Sequence, residues 1–249
     1  MEKTEQMKGI NIGKFLCATL VLISHMGPFD SFNPQITYYT VNLSFRFAVP
    51  FFFLCTGYFL YNRLDSEKNS KRLLLSVKRL FSLYFIWTCI YVVFSLPYTI
   101  TIETIRDFIF RGSVFHFWYF PSLIISLVFT NFLIEKFAPP GGCGAGSQGG
   151  LIVVCLLYII GLLGDSYGNL LPYLSPVRFI IDIYHIPFAA TRNGFLFPSI
   201  FIYLGAILAR NKNSRIWKID QYKWFVFSYL LFVIEFLFIT KMKLARDLN

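Results

Sequence analysis

Residues 80–100 read LFSLYFIWTCIYVVFSLPYTI and residues 113–134 read SVFHFWYFPSLIISLVFTNFLI. Neither stretch holds an Asp, Glu, Lys or Arg, and each is long enough to cross a hydrocarbon core of about 30 Å as a helix. Backbone groups in lipid must bond within their own segment, so such runs read as helices. Working outward, 41–61 is equally apolar apart from Arg46, and 10–26 apart from Lys14 and His25. Further runs cover 151–164, 194–209 and 224–240; the first two are short for a full crossing and read as tilted or as joined to half-helices. The fold class that follows is all-α: a polytopic integral membrane helix bundle of about seven to eight transmembrane helices with a cytoplasmic N-terminus.

Composition excludes the main alternatives. Of 249 residues 56% are hydrophobic, 20% aromatic and only 14% charged, where a soluble domain carries about 25% charged. This is too apolar for a disordered or nucleic-acid-binding tail, and no nucleic-acid partner is expected. Five cysteines are too few, and odd in number, for a secreted disulfide scaffold. Cys17, Cys55, Cys89 and Cys155 lie inside apolar runs and read as small buried hydrophobes. The first run lacks a small-residue cleavage site and reads as a retained span rather than a signal peptide.

The net charge of +10 is concentrated between the runs. Segment 62–79 carries Arg63, Lys68, Lys71, Arg72, Lys78 and Arg79; segment 210–223 carries Arg210, Lys212, Arg215, Lys218 and Lys223. Both belong on the cytoplasmic side. Alternating spans satisfy this only if 165–193 stays outside or dips in and out. That segment mixes Arg178, Asp182, His185 and Arg192 with aromatics, as a re-entrant or cavity-lining stretch can. Lys241, Lys243 and Arg246 then fall outside, against the rule. The stretch 138–150, APPGGCGAGSQGG, reads as a flexible loop. It lacks the Gly-Lys-Ser/Thr of a phosphate cradle.

Ionisable residues at membrane depth cost about 2.5–3.5 kcal/mol each and should face a cavity. Lys14 and His25 are eleven residues, close to three turns, apart, so they share a helix face about 16 Å apart along the axis. Lys14 would hold an anionic group and His25 move a proton; the bland alternative is a snorkelling lysine and an interfacial histidine. Arg46 lies on the second span four residues before Pro50, which can kink the helix there; it reads as a buried guanidinium for a phosphate or carboxylate, or as a structural partner of Asp30 or a snorkelling interfacial cation. His116 opens Phe117-Trp118-Tyr119-Phe120-Pro121, which an interfacial aromatic belt would also explain. Arg178 and Asp182 are spaced to pair on a helix. No metal site is expected: the three histidines lie on separate segments.

Lys14-x10-His25 resembles the Arg-x10-His signature of the membrane acyltransferase-3 family. The string Arg46-Phe47-Ala48-Val49-Pro50-Phe51-Phe52-Phe53-Leu54-Cys55-Thr56-Gly57-Tyr58-Phe59-Leu60 resembles its Arg, Val-Pro-Phe-Phe-Phe and Ser-Gly-aromatic hallmark, and His116-Phe117-Trp118-Tyr119 its His-aromatic-Trp-aromatic segment. Thr191-Arg192-Asn193-Gly194-Phe195-Leu196-Phe197-Pro198 with Leu204-Gly205-Ala206 is similar to the subgroup formed by the membrane part of vancomycin-resistance serine racemases. The resemblance runs in order from about residue 10 to 210 and implies one acyltransferase-like transmembrane domain over 1–249, with the family's C-terminal spans missing.

The resemblance further implies a multi-pass cell-membrane O-acyltransferase, of the class that transfers groups other than amino-acyl groups. It would take an acyl group, commonly acetyl, from cytoplasmic acyl-CoA to a hydroxyl of a carbohydrate or other cell-envelope acceptor. Its partners would be the lipid bilayer, acyl-CoA and that acceptor, with acyl-CoA a co-substrate and no bound cofactor. His25 is the implied catalytic residue; Lys14, Arg46, His116, Trp118 and Arg192 are the implied acyl-CoA- and substrate-binding residues. Lys14 stands where the family has Arg, which keeps the charge and loses the planar fork. Two other functions compete: a transporter of a small polar solute such as serine, and an inactive membrane scaffold.

Overall fold

The computed structural model describes residues 2–26, 31–41, 46–61, 66–95, 100–137, 145–169, 175–210 and 221–242, and among these it is helical with no strand. The helices are α1 (Glu2–Met26), α2 (Pro34–Thr40), α3 (Ala48–Tyr61), α4 (Ser66–Phe94), α5 (Ile102–Arg106), α6 (Tyr119–Phe137), α7 (Ala145–Gly164), α8 (Ser175–Phe188), α9 (Pro198–Arg210) and α10 (Gln221–Met242). A π-helical turn, Asp107–Arg111, continues α5, and a single 3₁₀ turn, Phe115–Trp118, leads into α6.

Large apolar side chains point outward along the bundle, among them Phe15, Leu22, Leu74, Phe85, Phe132, Ile159 and Ile234. A soluble protein does not expose apolar surface on this scale; this is the face of a membrane protein. Among the described residues three helices are long and apolar enough to cross a bilayer: Lys8–Met26, Ser70–Phe94 and Tyr119–Phe137. Ala48–Tyr61, Gln148–Gly164 and Pro198–Arg210 are apolar but shorter, so helix length alone does not reach the expected count.

Side-chain pairs fix how the helices run. Phe53 meets Tyr119 and Phe197 at one end of the bundle, while Tyr61 meets Asn131 at the other, so α3, α6 and α9 are parallel. α4 opposes them, with Tyr84 stacked on Phe120 and Ser70 beside Glu135. α7 opposes them too: Gly150 lies at Tyr203 and Gly161 at Leu196. Following the basic-residue rule, the end holding Lys71, Arg72, Lys136 and Arg210 is named the cytoplasmic end, and the end holding Tyr119, Gly164 and Ala48 the outer end.

Proline sets several helix starts. Pro34 and Pro198 are first residues, and Pro50 and Pro121 lie in the first turns of α3 and α6, where a missing N–H costs nothing. This corrects two expectations. Arg46 is not inside a span: with Phe47 it forms the turn ahead of α3, and helical bonding begins when Phe51 N donates to Phe47 O at 3.1 Å. Pro50 therefore starts a helix rather than kinking one. The run 113–134 likewise becomes a helix only at Tyr119.

The expected loop 138–150 is shorter at its far end, because α7 already begins at Ala145; residues 138–144 lie outside the described residues. Glycine here serves packing. A side chain at Gly150 would collide with the Tyr203 hydroxyl, and one at Gly149 would press on Phe137. Tertiary contact overrides the weak helix propensity of these glycines. The tightest crossing joins α3 and α9: Gly57 lies on the Ile202 carbonyl and Gly205 on the Leu54 carbonyl, backbone against backbone. Around it the core gathers Phe53, Tyr58, Leu123, Leu127, Val154, Ile202 and Tyr203.

Candidate active site

The outer end of the bundle is closed by the segment between α8 and α9, which enters the bundle without being helical. Irregular backbone at membrane depth survives only where its polar groups are met. Here they are. Ser122 Oγ lies 3.0 Å from Arg192 O and 3.1 Å from Gly194 O, and Ser126 Oγ lies 2.7 Å from Gly194 O. These serines stand about one and two turns down α6, so the segment descends that far. Tyr184 Oη donates to Asn193 O, and Asn193 Nδ2 donates to Phe188 O at 2.6 Å. Burial holds the Tyr184 phenol protonated well above the usual tyrosine range. Gly194 has φ 75°, and a side chain there would strike Tyr184 and Phe188.

Asp165, at the end of α7, grips the same segment. Its Oδ2 accepts from Thr191 N at 3.0 Å and Thr191 Oγ1 at 2.7 Å, and its Oδ1 lies 3.8 Å from His185 Nε2. Arg111 ties down the end of α8: Nε donates to Pro187 O at 3.0 Å, and Nη2 to Ile186 O at 2.7 Å and His185 O at 3.3 Å. Asp107 orients that guanidinium at 3.4 Å. The expected Arg178–Asp182 pair is present at 3.6 Å, half exposed on α8.

These clamps present one cation. The Arg192 backbone is held by Ser122, while its side chain is exposed and its guanidinium carbon lies 5.8 Å from the Trp118 ring centroid. Beneath Trp118 runs an aromatic floor: Tyr119 at 6.5 Å, then Phe53 at 4.9 Å from Tyr119. A planar cation on an indole face above aromatic rings suits an anionic or polar ligand that also offers an apolar face. Of the expected site residues, the structure brings Trp118 and Arg192 together. Trp118 packs against the core.

Lys14 points toward the cytoplasmic end, with Nζ 3.9 Å from the Phe59 ring centroid. His25 is exposed in the last turn of α1, about 16 Å from Lys14 along the helix. Arg46 is exposed in its turn at the outer end. The main chain of His116 belongs to the turn ahead of α6; its side chain, like Asp30, lies outside the described residues. Sequence reasoning missed Asp165, Thr191, Ser122, Ser126 and Arg111, whose contacts join residues 26 to 76 positions apart.

A family profile described as an acyltransferase domain matches residues 7–244. The chain belongs to the acyltransferase-3 family. An amino-acid racemase of Enterococcus faecalis is 27% identical over 219 residues, covering 86% of this chain and 29% of that protein. Another amino-acid racemase of the same organism is 32% identical over 232 residues, covering 88% and 32%. A serine/alanine racemase of Enterococcus gallinarum is 29% identical over 220 residues, covering 84% and 30%. This acyltransferase-3 chain thus spans 29–32% of the length of these relatives. No solved structure matches it. The family and the long apolar helices together make it a membrane protein of the acyltransferase-3 family.

Proposed function

We propose that this chain is a cell-membrane O-acyltransferase that moves an acyl group, acetyl in the simplest case, from cytoplasmic acyl-CoA to a hydroxyl at the outer face. The observation that carries the reading is the family match over residues 7–244. In this reading the acceptor hydroxyl attacks the thioester carbonyl, the C–S bond breaks, and the products are the ester and CoA thiol. His25 takes the hydroxyl proton and returns it to the departing thiolate, a task suited to an imidazole near neutral pH. Lys14, on the cytoplasmic side of His25, holds the phosphates of CoA, whose extended arm carries the thioester outward. Arg46 stabilises the oxyanion. Trp118, Arg192 and His116 receive the acceptor, a carbohydrate or another cell-envelope hydroxyl compound.

The test is CoA-thiol release from acetyl-CoA by inside-out vesicles carrying the protein, against His25→Ala at matched expression. Release that disappears in the variant supports the reading; equal release from both overturns the role of His25. A second reading, transport of a small polar solute such as serine, is favoured by the relatives' names, amino-acid racemase and serine/alanine racemase. Serine uptake without any dependence on acetyl-CoA would favour it.

A further inference from the structure

The exposed surface of α8 divides into sectors. At 100° per residue, Ile181, Tyr184, His185 and Phe188 share the face turned to the protein. Arg178 and Asp182 form a charged edge. Phe179, Ile180, Ile183 and Ile186 make a separate apolar face, with exposures of 67%, 56%, 50% and 67%. The bundle covers the first sector and leaves the third open.

Two attachments fix the height of this helix. At its middle, Ile181 faces Gly164, the last residue of α7, and His185 faces Asp165 just beyond it. At its end, Phe188 packs on Phe110 with ring centroids 5.4 Å apart, and Arg111 binds the carbonyls of His185, Ile186 and Pro187. The chain from Arg111 leads directly into the turn that opens α6. The outer ends of α6 and α7 lie at about one membrane level, so a helix tied to both along one face runs along the rim of the bundle rather than through it, with that face turned inward and the opposite face turned outward. α5 repeats the pattern beside it, with Ile102, Ile105 and Ile109 exposed at one-turn spacing.

We infer that α8 is an interfacial helix whose Phe179, Ile180, Ile183 and Ile186 enter the outer leaflet, with Arg178 and Asp182 on its water side. The occupant of the open face is phospholipid, because the helix lies at the boundary level of a membrane-spanning bundle and its apolar and charged sectors are sharply separated. The loop carrying Arg192 follows α8 directly, so the membrane surface itself sets the level at which that arginine stands.

The test is nitroxide scanning of α8 in liposomes, using single changes such as Phe179→Cys, Ile183→Cys, Ile186→Cys and Asp182→Cys in a chain freed of its other reactive cysteines. The expected result is oxygen access with exclusion of a water-soluble nickel chelate at 179, 183 and 186, all at one shallow depth, and chelate access at 182. A depth that increases steadily along the helix, uniform chelate access, or closure of 179–186 to both reagents would each overturn the inference; the last would place protein there. Should the cysteine-free chain not fold, the unmodified protein in vesicles of diazirine-bearing phosphatidylglycerol supplies the same answer. Lipid adducts on Phe179–Ile186 are expected, and their absence there while α1 and α4 are labelled would sink the proposal.

Discussion

The two halves of α9's path hold together in opposite ways. Toward the cytoplasm, α9 is a regular helix pressed against α3, with Gly57 and Gly205 letting the backbones touch. Toward the outside, the chain ahead of α9 is irregular and is held by serine hydroxyls, a carboxylate and a phenol. The inner half relies on the absence of side chains, since its backbone groups are already paired within helices. The outer half relies on particular side chains, since its carbonyls would otherwise be stranded in a medium that offers no water. The exposed cation sits in the outer half, where irregular backbone can aim a side chain in a direction a helix would not.

This contrast can be broken at several points. Gly57→Val should have the largest effect: the added side chain meets the Ile202 carbonyl, which cannot step aside. A loss of about 3 kcal/mol or more is expected, read as loss of monodisperse protein on detergent size exclusion. Ser122→Ala combined with Ser126→Ala should cost about 2–4 kcal/mol through the stranded Arg192 and Gly194 carbonyls, seen as a lower melting temperature. Asp165→Asn keeps the shape but weakens a charged acceptor, and should cost about 1–2 kcal/mol by the same assay.

Arg192→Lys keeps the charge, loses the planar face over Trp118, and should weaken acceptor binding by about 1 kcal/mol. The expected signature is a raised acceptor KM with the melting temperature unchanged. Asp182→Asn breaks an exposed pair and should shift stability by less than about 0.5 kcal/mol. A larger change there than at Ser122 would reverse the contrast between the buried clamps and the surface pair.

The helices were legible because long runs without charge admit few other structures, and the order of the basic segments gave the alternation the side-chain pairs display. The Trp118–Arg192 pairing joins two residues that the motifs singled out one at a time. Arg46 was misplaced because a proline within an apolar stretch reads equally as a kink or as a first turn, and only the Phe51–Phe47 bond decides. Gly149 and Gly150 looked like loop because their use depends on Phe137 and Tyr203, which belong to other helices. Asp165, Ser122 and Arg111 left no local pattern, since each acts on carbonyls or hydroxyls far along the chain.

Arg111 also imposes an order of events. Its acceptors, the carbonyls of His185, Ile186 and Pro187, lie 74 to 76 residues later. During synthesis Arg111 is therefore made before the carbonyls it binds, so these contacts close the outer lid only after the end of α8 has left the ribosome. A nascent chain halted before Pro187 would present that lid unfinished, an open mark by which quality control could distinguish it from the finished protein.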